Sequence, residues 1–171
     1  VMSSALMNKQ GKPYLSLQAL PGTGKTTSLC LSLCASLDAT NSQLQSIVIS
    51  SSGKTNFPDA MQLLGVVSPL GVSSMVSETI LEKDVNQFNR ASQPFFPNIL
   101  FGHPIRVLNV VQNSQLDFSQ VQLLAIDDAS DLLAKDFSKE VVQIAQLVQS
   151  KSRLRLKYIL LSQTIPKELR G

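Results

Sequence analysis

Apolar residues gather in short runs along the chain, and the stretches between them carry apolar positions three and four apart. The runs at 14–19 (YLSLQA), 46–50 (SIVIS), 71–76, 98–101 (NILF), 121–126 (VQLLAI) and 156–162 (LKYILLS) read as strands. The intervening pattern predicts helices over 25–37, 58–64, 79–88, 104–111, 129–133 and 139–149. Strands this apolar have no polar face to offer water. Alternating with helices, they describe an α/β fold: a parallel sheet covered by helices on both faces. No internal repeat or low-complexity tract interrupts the alternation, and one domain over residues 1–171 is expected.

Composition narrows the class. A chain of 171 residues buries about two-thirds of its unfolded surface, enough for one sizeable core. At 43% hydrophobic it is too apolar to stay disordered. Charged residues make up only 16%, below the usual share of about 25%, and Ser and Gln fill the polar positions. The net charge of +3 leans faintly toward anionic partners. No apolar run approaches the roughly 20 residues of a membrane span, and no signal-peptide pattern opens the chain. An intracellular protein, nuclear or cytoplasmic and without a membrane partner, is expected. Cys30 and Cys34, four apart on a predicted helix, are too few to close a structural zinc site; they read as thiols packed on a helix face.

The most informative segment is Ala19-Leu20-Pro21-Gly22-Thr23-Gly24-Lys25-Thr26, followed by Thr27, between the first strand and the first helix. Phosphates need charge compensation without bulky side chains in the way. Gly22 and Gly24 let backbone N–H groups close round them, the helix N-terminus adds its dipole, and Lys25 reaches the β/γ-phosphates. Thr26 offers a hydroxyl to Mg²⁺. A P-loop binding ATP is therefore expected, with Ala19 where the first Gly usually stands. Gly53-Lys54-Thr55 imitates the end of this pattern, but position 48 is Val rather than Gly, so it reads as a plain loop.

A phosphate loop needs a carboxylate at the end of a neighbouring strand to hold Mg²⁺ through water. Asp127 ends the apolar run 121–126, and Asp128 beside it is placed to orient or deprotonate an attacking water. Lys25, Asp127 and Asp128 are the catalytic candidates; Thr26 and Asp127 are the metal candidates.

With these residues in hand, the chain resembles the DEAD-box RNA helicases of superfamily 2. Ala-Leu-Pro-Gly-Thr-Gly-Lys-Thr resembles their motif I. Asp127-Asp128-Ala129-Ser130 resembles motif II, where Asp-Glu-Ala-Asp would stand. Ser162-Gln163-Thr164 resembles the Ser-Ala-Thr of motif III, and His103-Pro104-Ile105-Arg106 resembles the Thr-Pro-Gly-Arg segment. The order of the four carries the resemblance. It implies the N-terminal RecA-like P-loop NTPase domain of an ATP-dependent RNA helicase, with ATP and Mg²⁺ as cofactors and RNA held by its backbone. It further implies that Ser162 and Thr164 couple hydrolysis to strand separation, that Gly102 and Arg106 bind RNA, with Arg106 on the RNA backbone, and that a second RecA-like domain, not included in these 171 residues, or a protein partner completes the clefts. For Arg106 a solvated helix residue is the alternative.

Departures from the family pattern point to a second reading, a catalytically degenerate pseudo-helicase acting as an interaction module. Asp128 is a methylene shorter than the family's Glu, and positional errors of about 1 Å can cost on the order of a hundredfold in rate. Ser130 lacks the charge of the family's last Asp. Ser51-Ser52-Gly53-Lys54 stands where Pro-Thr-Arg-Glu is expected. The family's adenine-reading Gln would fall near Val1-Met2, where there is none. His103, in place of Thr, reads as a turn residue before Pro104. Lys151, Arg153, Arg155 and Lys157 would line one face of a strand, where they either meet RNA phosphates or form a solvated approach to the last strand. Another P-loop ATPase, of the AAA+ or superfamily 1 type, is a more distant alternative.

Overall fold

The computed structural model describes residues 14–51, 57–65, 70–75, 85, 86, 88 and 97–164. Its elements run β1 (Tyr14–Gln18), α1 (Lys25–Ser36), β2 (Ser46–Ser50), α2 (Phe57–Leu64), β3 (Val72–Met75), β4 (Ile99–Gly102), α3 (Pro104–Asn113), β5 (Leu123–Asp127), α4 (Ala129–Ala134), α5 (Ser138–Lys151) and β6 (Lys157–Ser162). The six strands form one sheet in the order β1-β6-β5-β2-β4-β3, every pair parallel. All six C-terminal ends therefore share one edge, where open α/β sheets bind ligands.

β2 and β5 lie inside the sheet and are buried at every position, which explains their unbroken apolar runs. Alternate residues feed two cores. Ile47, Ile49, Leu124, Ile126 and Leu160 pack against Val107 and Val110 of α3, Leu132 of α4, and Ile144 and Val148 of α5. Val48, Phe101, Ala125 and Leu161 face the other way, onto Leu29, Cys30 and Leu33 of α1 and Phe57 and Met61 of α2. Phe57 stacks on Phe101 with ring centroids 4.7 Å apart, fixing α2 over β4. Cys30 is fully buried and Cys34 half-buried on the same helix, as expected of packed thiols.

The edge strand differs from the centre. Among the described residues β1 pairs with β6 alone, and Leu15 and Leu17 are 60% and 40% exposed. Their register partners Ile159 and Leu161 belong to the α1 side of the sheet, so both leucines extend that apolar face beyond the helix.

The basic stretch needs correction. Strand β6 begins only at Lys157; Lys151 ends α5, and residues 152–156 form the connecting turn at the N-terminal edge of the sheet. The Lys151 ammonium donates to the Val111 carbonyl and lies 5.1 Å from the Phe118 ring centroid, so it braces α5 against α3. The four cations share no strand face. They stand at the opposite end of the strands from the phosphate loop, and the reading as an approach to the last strand fits. Of the helix predicted over 79–88, Val85, Asn86 and Phe88 are helical; the remainder, like the loop of Gly53, Lys54 and Thr55 and like Val1-Met2, lies outside the described residues. Among the described residues no helix is long and apolar enough to cross a membrane.

Candidate nucleotide site

The turn between β1 and α1 is shaped by its glycines. Gly22 and Gly24 have φ of 76° and 86°, in the left-handed region. A Cβ at either would meet nothing within 4 Å, so backbone conformation rather than crowding demands glycine. Gly24 caps α1 without a side-chain hydrogen bond, and the first turn holds no acidic residue. The helix thus starts with donors and a positive dipole end uncompensated, as an anion site requires. Leu20, Pro21, Gly22 and Thr23 are exposed, as is Thr27 in the first turn of α1, and the Thr23 hydroxyl donates to the Leu20 carbonyl at 2.7 Å.

Lys25 is buried, and its ammonium donates to the Ala19 and Leu20 carbonyls at 2.8 and 3.0 Å. The cation closes the loop on itself, in a position from which a short swing would bring it to phosphate. Thr26, one residue on, donates its hydroxyl to Asp127 Oδ2 at 2.9 Å, joining segments 101 positions apart. Asp127 is fully buried, and its other carboxylate oxygen has no hydrogen-bond partner. Burial pushes its pKa up, with the neighbouring Asp128 adding to the rise, while the Thr26 hydroxyl and the Lys25 charge oppose it.

A buried carboxylate oxygen with no donor, next to a hydroxyl, fits a hard cation that takes oxygen ligands. No group of three or more His, Cys, Asp or Glu among the described residues could cage a metal by itself. That suits Mg²⁺, which binds through one or two protein oxygens together with phosphate and water. The donor set, a backbone cradle with a lysine, likewise fits a nucleoside triphosphate.

Asp128 follows in the left-handed conformation (φ 56°, ψ 53°) as the N-cap of α4, with no side-chain capping bond. Its carboxylate is thus not spent on the helix.

Between the strands carrying these two segments lies β6. Its last residue, Ser162, is fully buried and donates its hydroxyl to the Thr164 carbonyl. The Ala19 amide donates to the Ser162 carbonyl at 3.1 Å, and the Gln18 amide reaches the Gln163 carbonyl at 3.4 Å. Lys25, Thr26, Asp127 and Ser162 thus meet at one edge of the sheet, whereas Thr164 is exposed beyond it.

Gly102 and Arg106 sit apart, at the end of β4 and in the first turn of α3, with β2 between them and Asp127. Arg106 is only 5% exposed, which overturns its reading as a solvated helix residue. His103 is the buried N-cap of α3, meeting Phe137 edge-on with centroids 4.6 Å apart, and Pro104 opens the helix. A turn role for His103 accords with this. Two contacts were not foreseen: the Ser51 hydroxyl donates to Asp131 Oδ2, and Lys135 pairs with the same oxygen at 3.2 Å. Ser51 and Asp131 are 80 positions apart, and nothing in local spacing joins them.

The model of the family described as DEAD/DEAH box helicase matches residues 2–170. The chain belongs to that family. Curated relatives include the ATP-dependent RNA helicase eIF4A of Schizosaccharomyces pombe, 25% identical over 99% of this chain and 41% of the relative. Eukaryotic initiation factor 4A-3 of Nicotiana plumbaginifolia is 21% identical over 97% of this chain and 42% of its own length. The chain therefore spans about two-fifths of these relatives. Among solved structures, a DEAD box protein from Methanococcus jannaschii superposes with a TM-score of 0.73 at 21% identity, over 99% of this chain and 43% of that one. Dbp5 of S. cerevisiae, bound to RNA and ADP BeF3, gives 0.70 at 15% identity, over 97% and 40%. The fold is the RecA-like α/β domain of this helicase family.

Proposed function

We propose that this chain is the ATP-binding domain of a divergent DEAD-box RNA helicase, coupling ATP binding and hydrolysis to RNA binding. The observation that carries the reading is the hydrogen bond between Thr26 and Asp127, which unites the phosphate loop with the carboxylate at the end of β5. The glycine-shaped turn and the α1 N-terminus hold the phosphates. Lys25 leaves the Ala19 and Leu20 carbonyls for the β/γ-phosphates, and Thr26 and Asp127 hold Mg²⁺, Asp127 through water. The bound cation would neutralise phosphate charge and favour the ionised form of Asp127. Asp128, free of any capping bond, orients the attacking water. Ser162, tied to the loop through the Ala19 amide, sits where Ser162 and Thr164 can report the state of the phosphate loop.

RNA is taken by its phosphates on the α3 side. The helix begins at Pro104 with no acidic residue in its first turn, directly after Gly102. Such an N-terminus attracts phosphate without reading bases. Arg106, buried in that first turn, adds its positive charge to the potential that draws the RNA phosphates. A second RecA-like domain or a protein partner supplies the remainder of both clefts.

The test is equilibrium binding of a fluorescent ATP analogue with Mg²⁺. Lys25→Ala and Asp127→Asn should each weaken binding about tenfold or more, because each removes a charge-assisted contact. Wild-type-like affinity in both would reject the site. The pseudo-helicase reading draws on Asp128, whose short carboxylate stands where the family has Glu. RNA-stimulated phosphate release separates the two: the helicase reading requires it, and the interaction-module reading requires binding without it.

A further inference from the structure

Ser51 and Asp131 have no role in the site as described, yet their contact spans it. Ser51 is 2% exposed and directly follows β2, whose last residue, Ser50, is the register partner of Asp127. Asp131 lies in the first turn of α4, and its amide donates to the Asp128 carbonyl at 2.9 Å. The Ser51 hydroxyl reaches over the end of β5 to Asp131 Oδ2, and Lys135 holds that oxygen from the other side. The Ser51 bond, followed by the Lys135 charge, keeps the Asp131 carboxyl below the usual carboxylate range. The carboxylate is thus ionised, and its bond to Ser51 is charge-assisted.

We propose that Asp131 is a positioning residue: through Ser51 it locks α4 to the end of β2, so that Asp128 and the chain leaving β2 respond to the nucleotide site as one unit. Core burial of Ala129 and Leu132 seats α4 on the sheet, and the Ser51–Asp131 contact is what ties its start laterally to β2. The helix is only six residues long, its N-cap makes no side-chain bond, and that N-cap is in the left-handed conformation. A helix this short has few internal bonds with which to orient itself. The chemistry is particular to this sequence. Where the resembling motif has Pro, position 51 carries a hydroxyl, and a carboxylate stands at 131, one residue beyond the uncharged Ser130. Deleting either partner breaks the same link, whereas a residue acting independently would add its own effect.

The functional part rests on the nucleotide site proposed above, so the experiment has two arms. Amide hydrogen exchange is followed in wild type, Ser51→Ala, Asp131→Ala and the double variant, with and without Mg·ATP. Without nucleotide, each single variant should speed exchange about tenfold at both 48–51 and 129–134, and the double variant should be no faster than either single one. With Mg·ATP, the phosphate loop should slow in all four proteins, while slowing at 48–51 should fall about fivefold or more in the variants. Lys135→Ala, which removes only the outer ion pair, should leave the response at 48–51 within about twofold of wild type. Additive effects in the double variant, or loosening at only one of the two segments, would overturn the link. An undiminished response at 48–51 in Asp131→Ala would overturn its positioning role. Absence of any response at the wild-type phosphate loop would instead reject the nucleotide site, and the nucleotide-free arm would still decide the link.

Discussion

Asp128 and Gly24 occupy the same unusual region of backbone space for different reasons. A left-handed φ costs an ordinary L-residue roughly 1–2 kcal/mol, less for Asp and Asn, whose short polar side chains tolerate it. The shorter acid at 128 thus suits its backbone better than Glu would, while shortening the reach of its carboxylate. At Gly24 the cost is avoided altogether. Gly24→Ala should destabilise the domain by about 1–2 kcal/mol although the added methyl meets nothing, as read by urea denaturation. A loss below a few tenths would mean that the loop relaxes out of this conformation. Cys30 offers a second check. Burial pushes its thiol up to about 12, with Cys34 and then Asp127 adding to the rise. At pH 8 a water-soluble disulfide reagent should leave Cys30 unmodified in the native chain and titrate two thiols after denaturation.

Elements divide sharply between those carried by their own sequence pattern and those that depend on neighbours. The runs of β2, β4 and β5 and the turn before α1 were legible because burial on both faces and left-handed glycines leave local marks. Asp127 was legible too, as an acid closing an apolar run, although the strand includes it. Lateral order leaves no such mark. That β6 separates β1 from β5 follows from packing, and so the link from Ala19 to Ser162 could not be read. Burial of Arg106 was hidden for the same reason: a charged residue in a first helical turn looks solvated until tertiary packing covers it. The basic stretch was misread because alternation of Lys and Arg with Leu imitates a strand while serving a turn. Within α1, Leu33 is fully buried between the sheet and α2. Leu33→Ala should cost about 2–5 kcal/mol in urea denaturation. Leu15→Lys combined with Leu17→Lys, on the exposed edge, should cost less than about 1 kcal/mol and reduce self-association in light scattering.

For the whole molecule, the site is held at a cost to stability. Asp127 has a raised pKa, so the native state favours its protonated form. Its contribution to stability is complete below the unfolded value of about 3.9 and is lost as pH rises through the folded value. Ionising Asp127 in the nucleotide-free domain is therefore opposed by burial. Asp127→Asn should be at least as stable as wild type at pH 7, by up to about 1 kcal/mol, while binding Mg·ATP more weakly. Thermal unfolding beside nucleotide titration would check it, and a destabilised Asn variant would mean that the Thr26 bond outweighs the burial. Stability and ligand affinity pulling apart at one residue is what a site built for a bound cation implies.

The edge position of β1 also sets a timetable. Among the described strands β1 is made before the others, but its partner β6 is made after them, and Gln18 meets Gln163 across 145 steps of chain. The central strands β2, β4 and β5 can pair beforehand, with far smaller loops to close. The strand that leads into the phosphate loop thus gains its partner only after the other described strands have been made, whereas α1 and the Thr26–Asp127 bond can hold the far side of the loop as soon as β5 is in place.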